Sequence, residues 1–276
     1  MKKLALIVIL ILFVALFLGA DVYTKSVERV KAFEMMGKKQ QETLQMKDRW
    51  YGTNKYAEIG KDHSMIIDLD KQKMYLALHG PKIYFEIPTD IDGKKLLAFI
   101  TSNYPKVAEA IKDIRITDAK VKLNTETKKI ANWNCTASEF EMVIIIPAIN
   151  MMPKFKMKMW TTKDLPEDYE RFKEMGEFFM TSIVAMLNID ESSQKEMAKM
   201  ESVEGFQVAT DVTVEIFGTR IEIESQSLEV TDKPALPNTY SVPSSYEKKD
   251  IKFIQNFFRQ VPRAGTANSL LPTGNL

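Results

Sequence analysis

From Glu42 to Pro88 apolar and polar residues alternate with period two, and turn-forming residues interrupt the pattern at short intervals. Leu44, Met46 and Trp50 fall opposite Thr43, Gln45, Lys47 and Arg49. Gly52-Thr53-Asn54 turns the chain into a short strand, Lys55 to Ile59, and Gly60-Lys61-Asp62 turns it again. Met65, Ile67 and Leu69 form the next stripe, then Met74, Leu76 and Leu78, then Ile83, Phe85 and Ile87. Asp70-Lys71-Gln72 and Gly80-Pro81 separate these runs. Period-two runs joined by such short connections predict antiparallel neighbours, because parallel strands need long crossovers.

The period then changes. Leu97, Ile100, Tyr104, Val107 and Ile111 recur at three- and four-residue steps, predicting a helix from Lys94 to Asp113 that Pro105 kinks or splits. Strands are predicted again over Ile116 to Asn124, Cys135 to Ile146 and Lys154 to Thr162. A second helix starts at Asp164, with Pro166 and Glu167 in its first turn and Phe172, Met175, Phe179, Ile183 and Leu187 on one face. A shorter helix covers Glu191 to Met200. Phe206 to Ile216 alternates most cleanly, Gly218-Thr219 turns, and a parity shift before Leu228 predicts a bulge near Ser225. The sum is one α+β domain, mainly antiparallel β, of about eleven strands in a strongly curved sheet with two or three covering helices.

The first twenty residues stand apart. Lys2 and Lys3 precede an apolar run from Leu4 to Ala20, and Asp21 opens the polar chain. That order is a secretory signal, with cleavage expected after Ala20. The run of 17 residues spans ~25 Å as a helix, against ~30 Å of bilayer core, so an uncleaved N-terminal anchor is the alternative. No later segment is apolar for long enough to span, since Val143 to Ile149 is short and interrupted by Pro147. The expected location is periplasmic or extracellular. The domain then runs over residues 21–249, followed by a short amphipathic stretch and a polar, disordered tail over 250–276.

Composition narrows the chemistry. Among 276 residues, 38 Lys and Arg balance 37 Asp and Glu, which argues against a nucleic-acid partner. One cysteine and two histidines exclude a disulfide framework and any multi-cysteine metal site. Cys135 reads as a small buried residue. Asp68, Asp70, Glu86, Glu139 and Glu141 show no spacing that pairs two of them for hydrolysis. There is no Walker loop, dinucleotide fingerprint or nucleophile elbow, so neither cofactor nor metal is expected. Sixteen methionines are many, and Met157 and Met159 sit in a Met/Lys-rich run. Thioether clusters suit Cu(I), yet Phe155, Met157 and Met159 alternate with Lys154, Lys156 and Lys158, the pattern of a half-buried strand. Methionine there suits an adaptable apolar lining.

Six segments carry a resemblance: Trp50-Tyr51-Gly52, Ile66 to Tyr75, Lys82 to Glu86, Lys129 to Cys135, Gly205 to Val208, and Val242 to Tyr246. Together they resemble a secreted, uncharacterised bacterial family, domain of unknown function forty-four twelve. The series of strands and helices is also similar to the periplasmic lipoprotein-carrier family. The resemblance implies export and an incompletely closed antiparallel barrel whose mouth the helices cover. It implies no catalytic residues.

These readings converge on an exported, non-enzymatic binding protein with an apolar ligand, a lipid or acyl chain, held between sheet and helices. The inward-facing residues are expected to be Trp50, Met65, Ile67, Leu76, Phe85, Ile144, Met157, Met159, Val212 and Val214. A cell-envelope interaction module with a filled interior, binding an envelope protein, is the alternative. An envelope hydrolase is the second; it requires a carboxylate pair, or Cys135 beside a histidine.

Overall fold

The computed structural model describes residues 21–35, 37–89, 94–103, 105, 113–147, 150–166 and 188–250. The signal segment expected over residues 1–20, the tail expected beyond Asp250, much of the second half of the helix predicted from Lys94 and nearly all of the helix predicted from Asp164 to Leu187 lie outside the described residues.

The strands are β1 (Asp21–Val30), β2 (Phe33–Met35), β3 (Lys38–Gln40), β4 (Thr43–Gly52), β5 (Lys55–Ile59), β6 (His63–Asp68), β7 (Lys73–Leu78), β8 (Ile83–Pro88), β9 (Arg115–Ile130), β10 (Trp133–Ile145), β11 (Lys154–Thr162), β12 (Asn188–Ile189), β13 (Phe206–Ile216), β14 (Thr219–Lys233) and β15 (Glu247–Lys248). Helix α1 covers Lys94–Asn103 and α2 covers Glu191–Ala198, which runs into a 3-10 turn at Lys199–Ser202.

Thirteen strands form one sheet in the order β12-β9-β10-β11-β13-β14-β1-β4-β5-β6-β7-β8-β15, and β2 pairs β3 in a separate hairpin. The sheet is curved and does not close into a barrel. About eleven strands are expected, and the runs named from the pattern account for ten of the thirteen; β1 and the two-residue edge strands β12 and β15 escape it. Those two edge strands are parallel to β9 and β8 respectively; every other pairing in the sheet is antiparallel.

Strand β1 joins the two halves, lying between β14 and β4. Its alternation is faint because Val22, Thr24 and Ser26, all fully buried, share one face, and two of the three are polar. The register of β1 on β14 skips Leu228, opposite Lys25 and Ser26. That bulge is the parity shift expected near Ser225, displaced three residues along the strand. Further breaks in register lie between Trp160 and Thr161 and at two places along β10. Bulges bend strands and raise local twist, which suits a curved sheet.

Both edges are covered over part of their length. Asp190 caps α2 by accepting from the Ser193 backbone N–H at 2.8 Å. From that helix the Ser193 Oγ and Glu196 Oε2 accept the backbone N–H groups of Ala119 and Val121, each at 3.1 Å. The helix thereby occupies donors that an edge strand otherwise offers to other chains. At the far edge, the Glu247 and Lys249 N–H groups bond to the carbonyls of Lys82 and Tyr84 at 3.0 and 2.9 Å.

Candidate functional site: the apolar face of the sheet

Residues directly opposite across an antiparallel pair share a face, so the registers assign every strand position to one side. Starting from β6, Met65 lies beside Leu76 and Leu76 beside Phe85, while Ile67 lies beside Met74. Met65 also opposes Glu58, Glu58 opposes Arg49, and Arg49 opposes Thr24. Through β1 and β14 the same face continues to Ile223 and Ile221, then to Val212 and Val214 on β13. It passes to Met157 and Phe155 on β11, then to Phe140 and Met142 on β10. Ile144 and Ile116 end it.

Nine of the ten residues expected to face inward therefore lie on one side of the sheet. Trp50 does not. It pairs with Tyr23 and Ala57, and with Ile66 it builds a core on the opposite face. Ala235, Tyr240 and Val242 of the C-terminal segment cover that core. Parity alone cannot place Trp50, because Tyr51 beside it is equally apolar in body and takes the other face. Ile67 and Phe85 are on the expected side but fully buried, so they are packing. Met65, Leu76, Ile144, Met157, Met159, Val212 and Val214 are half-buried.

At the β9 end, α2 and its 3-10 turn lie on this same face. Met197 and Met200 pack, with Met142, Phe155 and Met157, against Ala119, Val121 and Phe140. The methionines thus meet one another across a helix–sheet joint, where an unbranched, adaptable side chain fills uneven gaps.

Between the two apolar stretches lies a charged island that the sequence did not announce. Lys47 Nζ is 2.9 Å from Glu28 and 3.0 Å from Glu58, and Arg49 Nε is 2.8 Å from Glu58. Tyr56 donates its hydroxyl to Glu58 at 3.3 Å. The four charged side chains are only 11–25% exposed. Burial opposes ionisation of Glu58, but Arg49 and Lys47 outweigh it and hold the carboxyl below the usual carboxylate range. Burial pushes the Tyr51 and Tyr56 hydroxyls up, keeping both rings neutral. Lys47 and Arg49 stand in the polar parity of their strand, which reads as solvent-facing until the sheet is assembled.

The opposite face explains the lysine alternation in β11. Lys156 pairs with Glu141 at 3.1 Å, and Lys158 with Glu126 and Glu139 at 2.8 and 3.1 Å. Lys128 Nζ sits 3.8 Å from the centre of the Trp160 ring, whose Nε1 donates to Asp211. From Trp160 toward the start of β11, that face is a solvated charge ladder.

The groups weighed for catalysis have other roles. Cys135 is buried among Ile130, Ala137, Trp160, Val208 and Ala209, and burial pushes its thiol up. Its Sγ reaches the Trp133 carbonyl at 3.5 Å. His79 lies elsewhere, bonded to Ser64 Oγ at 2.9 Å and to the Tyr246 hydroxyl at 2.7 Å, where it pins the C-terminal segment to the sheet. Asp68 is held by Lys71, Asp70 by Lys55, Glu86 by Lys73 and Lys248. Among the described residues no three His, Cys, Asp or Glu side chains converge as a metal site.

No protein-family profile matches the chain, and no curated protein does. Among solved structures the chain is similar to a DUF1329 family protein from Desulfovibrio piger, at 10% identity over 83% of this chain and 92% of that one, with a TM-score of 0.29. At that score the likeness assigns neither family nor function. No described helix is long and apolar enough to cross a membrane.

Proposed function

We propose that this chain is an exported, non-enzymatic binding protein for a lipid or another apolar ligand, held against the half-buried apolar face of the sheet. The observation that carries the reading is the continuity of that face. Met157, Met159, Val212, Val214, Ile221 and Ile223 adjoin one another across three strands, and each stays half-buried. Each methylene moved from water onto such a surface is worth about 0.8 kcal/mol, so an acyl chain binds without specific polar contacts. Membership of the secreted family forty-four twelve, and a lipoprotein-carrier-like arrangement, belong to the same proposal. Export rests on the order of charge, apolar run and small residues in residues 1–20.

Two measurements test it on the purified full chain. Native mass spectrometry is expected to show a co-purifying apolar species, and an apolar fluorophore is expected to be displaced by a long-chain fatty acid. A Val212→Glu variant places a carboxylate at the centre of the face and is expected to weaken fluorophore binding by roughly tenfold or more. Absence of both a bound species and a displaceable fluorophore removes the carrier reading and leaves the envelope interaction module.

A further inference from the structure

Independently of any ligand on the apolar face, we propose that one end of the sheet is a docking surface for a phospholipid bilayer, with Phe217 as its central anchor. Three separate loops project from this end. The first joins β10 to β11, and carries Met152, 63% exposed. The second is the β13–β14 turn with Phe217, 58% exposed. The third is the β2–β3 hairpin, and beside it near the start of β4 stands Leu44, 60% exposed and paired with Arg29.

The registers place them together. Lys154 opposes Glu215 just before the turn, Ile223 opposes Val30, and Val30 opposes Thr43. Thr219 Oγ1 donates to the Glu34 carbonyl at 2.8 Å, tying hairpin to turn.

Phe217 carries the argument. It is the first of two residues in a tight hairpin loop, with φ of 51° followed by 74° at Gly218. Such loops favour Asn, Asp or Gly at that position, and a bulky apolar residue there is strained. Asn54, Gln72, Lys82, Asp118, Asn124, Ala131, Asn150 and Asn238 hold the other positive-φ sites outside glycine among the described residues, and Phe217 is the one aromatic side chain among them. A phenylalanine that neither packs into the core nor suits its backbone is accounted for by something outside the fold.

A bilayer fits better than a protein partner. Met152 and Phe217 sit on separate loops and Leu44 near a strand start, with cations between them, and an interface of headgroups accepts such a surface without shape complementarity. Lys38, Lys39, Arg115 and Lys154 are exposed here and make no ion pair among the described residues. Glu42, Glu222 and Glu224 are engaged by Arg29, Lys31 and Arg220. Glu34, Asp113 and Glu215 make no such ion pair, but Glu215 lies directly across from Lys154. Among the described residues these four cations exceed the three carboxylates by one, so anionic lipid should strengthen only modestly a contact that the apolar side chains make.

The test uses the full chain with phosphatidylcholine–phosphatidylglycerol vesicles whose acyl chains are brominated. Phe217→Trp is expected to lose about half of its added fluorescence to the bromines, as an interfacial indole does. Leu236→Trp, on the exposed C-terminal segment away from this end, is expected to lose none. Equal quenching in the two variants, or none in Phe217→Trp, overturns the proposal. The contact and the fold are then separated by Phe217→Asn, which relieves the left-handed strain. It is expected to raise the thermal midpoint by about 2–4 °C while reducing quenching of a Met152→Trp reporter severalfold. If that variant leaves the reporter's quenching unchanged, or lowers the thermal midpoint, Phe217 is no anchor and the proposal fails.

Discussion

Glu58→Gln removes the one carboxylate shared by Lys47 and Arg49 while keeping the shape of the side chain. Two cations, 11% and 19% exposed, are then left with Glu28 as the only carboxylate paired to either among the described residues. Breaking a buried ion pair from one side costs ~3–5 kcal/mol, and the residual exposure of these groups argues for the lower end, about 3 kcal/mol. In a domain of this size that is a fall of ~6–12 °C in thermal midpoint. Urea unfolding followed by circular dichroism reads the same quantity as a change in midpoint at constant slope. The sharper assay is the double variant Arg49→Met/Glu58→Gln. It removes one cation with its carboxylate and leaves the neutral pair Lys47–Glu28, so it should cost ~1–3 kcal/mol less than the sum of its two parts. There is a pH arm as well. The folded-state carboxyl of Glu58 is held below its unfolded value, so its contribution is fully present above about pH 4.3 and is lost as pH falls through the depressed folded value. The wild type should lose stability over that acidic window, and Glu58→Gln should lack that step. Strict additivity of the two substitutions, with unchanged acid sensitivity, would refute the picture of one coupled island.

Three further outcomes follow from particular contacts. Gly205→Ala should destabilise the fold by ~2–4 kcal/mol in urea titrations, because φ is +89° and an added Cβ would stand 2.5 Å from the Thr162 carbonyl oxygen. The Cys135 thiol should resist a chromogenic disulfide reagent at neutral pH until denaturant is added; it is 2% exposed, and burial raises its pKa. Tyr246→Phe should increase hydrogen exchange in residues 240–249 with little effect on β10 and β11, since it removes the 2.7 Å bond to His79 that fastens this segment.

Much of the architecture is legible in the sequence where one side of a strand is apolar and the other charged. β11 and β13 begin and end where alternation and turn residues place them, because burial on one side only writes a strict period of two, while β5, buried on both sides at Tyr56 and Ala57, takes its bounds from the turns that flank it. The pattern fails where both sides are covered or where the buried side is polar. β1 is both: Tyr23 faces the core beneath the C-terminal segment, while on the other side Val22 packs against Tyr51 and Phe206 and Thr24 and Ser26 face the charged island. β9 continues to Ile130 through a run of exposed Lys, Thr and Glu that no hydrophobic stripe marks. Trp50 defeats the parity argument because a strand lined on both sides by aromatic residues does not declare which side is the ligand's. Lys47 and Arg49 escape it for a related reason: a cation in the polar parity looks solvated until a carboxylate from the next strand is seen beside it. The turn at Phe217-Gly218 lies one residue earlier than the glycine suggests, since phenylalanine is a rare occupant of a left-handed turn position.

The apolar face is tested most directly by photo-crosslinking. A fatty acid carrying a diazirine in its chain is incubated with the purified protein, irradiated, and the adducts are mapped by peptide mass spectrometry. The expected adducts fall on β11 and β13, at Met157, Met159, Val212 and Val214 and their neighbours on that face. Adducts on the lysine-bearing side of the same strands, or none above an unirradiated control, would contradict a lipid held there.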